Sequence, residues 1–312
     1  MTAAGLGDTP APPVGMASKA GADSGRKADL AGGGSPWLSR AALHTALILI
    51  CVIWLLPTVA LFISSLRPAN DVLTNGWWNA FQLPFEFTLK NYEDVLSKNN
   101  MAQSFINSLF ITIPATVIPI MVAAFAAYAF AWMNFPGRNA LFILVVGLLV
   151  IPLQSALIPV LQFSTNIGLT GSFPAVWLAH TGFGLPFAIF LLRNFFGALP
   201  REMFESAYLD GASPTTAFFR LVLPLSVPAI ASLVIFQFMF VWNDLLVALI
   251  LVGGTASVAP MTVTIANLVN SLGQGYHLLT AAAFISMALP LVVFFGLQRF
   301  FVRGILGGSV KG

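Results

Sequence analysis

The chain reads as an all-α integral membrane protein with six transmembrane helices and one helix-turn-helix loop between the fourth and the fifth. Three observations predict this class. Of 312 residues, 58% are hydrophobic and only 8% are charged, whereas a soluble domain carries about 25% charged residues. Six apolar runs reach the roughly 20 residues that a helix needs to cross a hydrocarbon core. The Lys and Arg residues between those runs fall mostly on one side.

The elements follow in order. Residues 1–36 are rich in Gly, Ala, Pro and Ser without periodicity, a composition that predicts a disordered tail. A signal peptide is the competing reading. The apolar stretch from Ala41 to Ser64 outlasts an h-region of about 7–15 residues and shows no cleavage site, so it reads as a retained span. The six expected spans are about 41–64, 104–133, 139–163, 173–197, 226–252 and 279–302, within a membrane domain of residues 37–312. Pro114 and Pro119 predict a kink in the second. Between the first two lies a polar segment, 67–100, with Trp77 and Trp78 suited to a membrane interface. A short amphipathic helix is expected around Pro260 to Leu272.

Orientation follows from charge. With the amino terminus inside, one side holds Lys19, Arg26, Lys27, Arg40, Arg138, Arg193, Arg201, Arg220, Arg299, Arg303 and Lys311, and the other only Arg67, Lys90 and Lys98. This positive-inside bias places both termini and the 198–225 loop in the cytoplasm.

That loop is the most informative stretch. Leu199-Pro200 ends a span and opens a helix, with Glu202 and Glu205 in its first turns, where acids complement the helix dipole. Asp210-Gly211 signals a turn, and Ser213-Pro214 resembles a cap followed by Pro at the first helical position. The small Ala207 and Ala212 permit close approach of a partner. The bland alternative is a plain connection between spans.

Glu205, Ser206, Ala207, Asp210, Gly211 and Ala212, followed by Leu223-Pro224, resemble the E-A-A-x-x-D-G-A motif with a late Leu-Pro in bacterial ABC importer permeases. Ser206 stands in place of the first Ala. The carboxyl end, through Val310, Lys311 and Gly312, resembles the tail of sugar-importer permeases of the MalG type. Further pieces of the resemblance are Ser64-Ser65-Leu66-Arg67-Pro68, Lys90-Asn91-Tyr92, Asn107-Ser108, Thr262-Val263 and Met287-Ala288-Leu289-Pro290. The resemblance covers most of residues 40–312. It implies the ABC type I importer fold, and it implies that the 198–225 loop and the tail contact an ATPase. It also implies a second homologous permease, two ATP-binding subunits and an extracytoplasmic sugar-binding protein. The implied substrate is a neutral sugar, with alpha-glucosides such as maltose or trehalose suggested by the run from Gln274 to Thr280; polyols and glycerol phosphates are the alternatives within the class.

Candidates for the translocation path are Gln154, Trp242, Asn243 and Asp244. An acid at membrane depth costs about 2.5–3.5 kcal/mol on insertion scales, so Asp244 is expected to face a cavity or a partner and not lipid. Trp242 offers an aromatic plane for a sugar, but the three residues serve equally as a lock between helices. Gln162, Asn166, His180 and Gln237 read as interhelical hydrogen-bonding groups. His180 has no second metal ligand at helical spacing. No phosphate-binding loop occurs, so no cofactor is expected on this chain and ATP is left to partner subunits. Nothing suggests nucleic-acid binding, since basic residues form no cluster with aromatics. An autonomous secondary transporter would predict repeated halves, and an intramembrane enzyme a Ser–His or paired-Asp constellation. The sequence displays neither.

Overall fold

The computed structural model describes residues 36–98, 100–268 and 275–309, with side chains over 40–98, 100–268 and 275–299. The expected tail, up to residue 35, and the carboxyl-terminal Val310, Lys311 and Gly312 lie outside the described residues, as do residues 269–272 of the helix expected near Pro260 to Leu272, which ends earlier, at Ala266. Every regular element among the described residues is helical. In chain order they are α1 (Pro36–Ser65), α2 (Ala69–Thr74), a 3-10 turn (Trp77–Phe81), α3 (Lys90–Lys98), α4 (Met101–Trp132), α5 (Arg138–Gly147) with a 3-10 extension (Leu148–Val150), α6 (Leu153–Asn166) and α7 (Phe173–Gly197). They continue as α8 (Arg201–Leu209), α9 (Pro214–Ala217), a π-helical turn (Phe218–Val222), α10 (Leu223–Leu225), α11 (Val227–Trp242), α12 (Leu246–Leu251), α13 (Met261–Ala266) and α14 (Tyr276–Ser309).

The chain divides into two units at Leu55. The first contains the opening part of α1, an apolar helix. The second contains everything from Leu56 onward. Among the described residues four helices are long and apolar enough to cross a membrane, and six if each of two bent pairs counts as one span. One of those pairs, and a separate break after Trp242, correct two expectations of continuous helix. The third span breaks by 104° between Val150 and Leu153. Ile151 is extended there (φ −71°, ψ 116°), because the ring of Pro152 disfavours helical dihedrals in the residue before it. The fifth expected span, 226–252, ends as α11 at Trp242 and resumes as α12 at Leu246. Asn243 turns its amide back to the Met239 carbonyl (2.8 Å), and the Asp244 carboxylate accepts from the backbone N–H groups of Val247 (3.3 Å) and Ala248 (3.1 Å). Short polar side chains that bind nearby backbone compete with a continuous helix in this way.

Helix α4 packs along α7 and against α11, and α11 also packs on α14. One apolar core joins Ala127, Leu192, Phe196, Phe204, Val222 and Leu233. A second lies at the other end of α4 and α7, around Ala115, Val176, Val247 and Leu251, and a third joins Val95, Met101, Trp242 and Ala281.

Polar residues pin the connections to this bundle. The buried Asn91 donates to the carbonyls of Ser65 (2.9 Å) and Arg67 (2.8 Å), and the Tyr92 hydroxyl meets Ser65 Oγ at 2.7 Å. The buried Arg67 donates to the Gly76 carbonyl (3.0 Å). At the start of α4, Asn107 donates to the carbonyls of Ala256 and Ala259, and Ser108 Oγ accepts from the Met261 N–H at 2.8 Å. Apart from the Tyr92–Ser65 hydroxyl pair, each bond satisfies a backbone group that would be costly to bury alone. In α3, an ion pair with Lys98 (2.7 Å) holds the Asp94 carboxyl below the usual carboxylate range.

Candidate functional site

Residues 198–226 form a knob at the end of the bundle where α4 and α7 finish. Pro200 is extended (φ −61°, ψ 132°) and α8 starts immediately after it, with Glu202 in the first turn. The helix stops where Gly211 takes φ +82°. The Gly211 N–H reaches the Tyr208 carbonyl (3.1 Å) and the Ala212 N–H the Ala207 carbonyl (2.9 Å). This is a Schellman ending, which calls for a left-handed residue where the chain leaves the helix. Ser213 then caps α9 by accepting from the Thr216 N–H at 3.2 Å, with Pro214 next to it. The expected helix-turn-helix is therefore present, with α9 short and its continuation π-helical.

The knob is rooted by one side of α8. Phe204 is fully buried and stacks on Trp132 at the end of α4, centroid to centroid 3.7 Å. The Trp132 indole donates to the Phe196 carbonyl of α7 (2.9 Å). From the other side, the Tyr128 hydroxyl donates to the Pro214 carbonyl (2.9 Å), and Phe218 packs against Tyr128 and Phe125. Burying a Phe contributes about 1.5–3 kcal/mol, so the root orients the knob firmly against α4 and α7.

The opposite side faces outward. Glu205, Ser206, Tyr208, Asp210 and Gly211 are exposed, and Ala207 and Ala212 are half-buried. Leu209, at the tip, is 89% exposed. Among the described residues no ion pair engages Glu202, Glu205 or Asp210. Pro224 is exposed in α10 and lines an apolar cavity of about 610 Å³ with Met121, Phe125, Phe219, Leu223 and Val227. The knob thus offers an apolar tip and uncommitted acids on a rigid base.

The second expected site resolves differently. Trp242 is buried; Phe238 stacks on it (5.5 Å, 17°), Phe105 meets it edge-on (5.8 Å, 81°), and its indole donates to the Ser286 carbonyl of α14 at 3.0 Å. Of the two roles expected for the ring, the plane for a sugar is covered where Phe238 stacks against it. Asp244 lies at the break between α11 and α12, capping α12, while the Thr262 hydroxyl donates to its backbone carbonyl at 2.6 Å. One carboxylate oxygen lies 3.6 Å from Nε2 of the buried His180. Asp244 therefore faces the protein interior. Gln154 is exposed in the first turn of α6, apart from this group.

Sequence reasoning missed Phe204 and Trp132, and it did not bring His180 or Thr262 to Asp244. The apolar face of α8 at Phe204 was a usable signal. His180, in α7, and Asp244, at the break after α11, are distant in sequence, so no spacing announces them. Among the described residues no group of three or more metal-ligating side chains forms.

Residues 102–307 match the family described as "Binding-protein-dependent transport system inner membrane component". The chain is 61% identical to the osmoprotective compounds uptake permease protein GgtD of Synechocystis, over 86% of this chain and 91% of that one. It is 54% identical to the alpha-glucoside transport system permease protein AglG of Rhizobium meliloti, over 73% of this chain and 62% of that longer one. The fold matches a chain of a bacterial ABC transporter that imports alginate, with a TM-score of 0.72 at 19% identity, over 86% of this chain and 98% of that one. Long apolar helices, a knob between the fourth and fifth spans and a match through two thirds of the chain agree: this protein belongs to the family of inner membrane components of binding-protein-dependent transport systems.

Proposed function

We propose that this chain is the membrane-spanning permease subunit of an ATP-driven importer for a neutral sugar, an alpha-glucoside by preference, and that residues 198–225 dock on a separate ATPase. The observation that carries this reading is the knob: a rooted base at Phe204, a fixed turn at Gly211, and a free outer face with Leu209 and Glu205. Glu205 is assigned to a basic group of the ATPase. Asp210, Gly211 and Ala212 shape the contact, and Ser206 and Ala207 let the partner approach. Val310, Lys311 and Gly312 are assigned to the same partner. The charge bias between spans supports a cytoplasmic knob and cytoplasmic termini. A second permease completes the path, an extracytoplasmic binding protein delivers the sugar, and ATP binds the partner ATPases. When those subunits close, the knob moves with them, and α11, which follows it in the chain, tilts.

The alpha-glucoside assignment is supported by the relative from Rhizobium meliloti and by the scarcity of ionisable groups in the described spans. A second reading, an osmoprotective solute, is favoured by the relative from Synechocystis. Reconstitution of the assembled complex in liposomes tests both. Uptake is expected only with ATP and the binding protein, and the solute that best stimulates hydrolysis identifies the substrate. Gradient-driven accumulation by this chain alone would overturn the proposal.

A further inference from the structure

Among the described residues six prolines lie inside helices, Pro57, Pro114, Pro119, Pro159, Pro186 and Pro290, and each frees a carbonyl four residues earlier, because proline has no N–H to return. For three of them another helix supplies the missing donor. Pro114 releases the Phe110 carbonyl of α4, which accepts from the Trp177 indole of α7 at 2.8 Å. Pro119 releases the Ala115 carbonyl of α4, which accepts from the Gln237 amide of α11 at 3.1 Å. Pro290 releases the Ser286 carbonyl of α14, which accepts from the Trp242 indole of α11 at 3.0 Å. Prolines are tolerated in membrane helices when neighbours re-satisfy the freed groups.

Two of the three donors sit on α11. Gln237 also lies across Gly184 of α7, where an added Cβ would come within 2.6 Å of its amide oxygen. Helix α11 is joined to the knob through the π-turn and α10, with a bend of 73° before Val227. A carbonyl that its own helix does not hold can change partner without breaking the helix ladder, so the helix bends most easily there.

We propose that α11 is the arm carrying knob displacement into the bundle, and that Gln237 and Trp242 are positioning residues at two joints, on α4 at Pro119 and on α14 at Pro290. The proposal rests on the knob being the ATPase contact. It gives Trp242 and Gln237 a role in transmission instead of sugar contact.

The test uses the assembled complex in proteoliposomes, with three readouts: ATPase co-purification, apparent melting temperature, and sugar taken up per ATP hydrolysed. Gln237→Leu should retain the ATPase and lower uptake per ATP by about tenfold, the signature of a lost transmission contact. Adding Pro119→Ala returns an N–H to the Ala115 carbonyl from within α4. The double variant should regain melting temperature but not uptake per ATP, because the link to α11 stays cut. Recovery of both would overturn the proposal and leave Gln237 a carbonyl cap only, and unchanged uptake in Gln237→Leu would overturn it outright. If Gln237→Leu does not assemble, Pro119→Ala alone decides: the added donor competes for the carbonyl, and uptake per ATP should fall about threefold. No change would overturn the joint. Failure of the knob reading appears elsewhere, as normal ATPase retention in Glu205→Ala, which these variants leave untouched.

Discussion

The knob and the Trp242-Asn243-Asp244 break carry their polar groups in opposite ways. At the break the indole is committed to Ser286, the Asn243 N–H to Met239 and the carboxylate to α12, although Asn243 itself is exposed. On the knob, Phe204 is committed and the outer residues are not. A motif whose hydrogen-bonding capacity is used internally builds the fold. A motif that keeps its acids and an apolar tip free on a rigid base is fitted to act on something else. The comparison separates two segments that look equally functional in the sequence.

Substitutions at four positions sharpen or break this contrast. The largest effect is expected for Phe204→Ala, which removes the root of the knob. Truncating a buried Phe costs about 3–5 kcal/mol, and a large drop in melting temperature should accompany loss of the ATPase on purification. Glu205→Ala should leave the fold alone and weaken ATPase retention by about 2–3 kcal/mol, the worth of a charge-assisted contact. Unchanged retention and uptake would remove Glu205 from the interface. Gly211→Val meets no atom within 4 Å of the added Cβ, so its cost is conformational, about 1–2 kcal/mol for a left-handed backbone. Uptake should fall for Val and largely survive for Asn, which tolerates that conformation; equal uptake would contradict the turn. Asp244→Ala should cost about 1 kcal/mol as a lost helix cap, seen in thermal unfolding with ATPase retention intact. Loss of the ATPase in that variant would erase the contrast between the two regions.

Much of the fold was legible in composition and periodicity, because a membrane span needs only length and apolarity. The turn at Gly211 and the cap at Ser213 were legible because both depend on local chemistry. The breaks at Pro152 and Asp244 were not, because the apolar runs continue through them and the deciding groups are single residues. Trp242 kept two readings for another reason. An indole can stack on a sugar or donate to a carbonyl, and its target, Ser286, is released by a proline on a helix that only the fold brings near. Asn91, Asn107 and Thr262 belong to recognisable motifs, yet their work as pins emerged only when their backbone partners were located.

The most direct test follows Leu209, the exposed tip. Leu209→Cys is made in a background where Cys51, itself exposed, is replaced by Ser. It is then treated with a water-soluble thiol reagent, first in this chain without the ATPase and then in the assembled complex. The account predicts rapid labelling without the ATPase and strong protection once the ATPase is bound. Equal labelling in both would contradict the claim that the knob is the docking element.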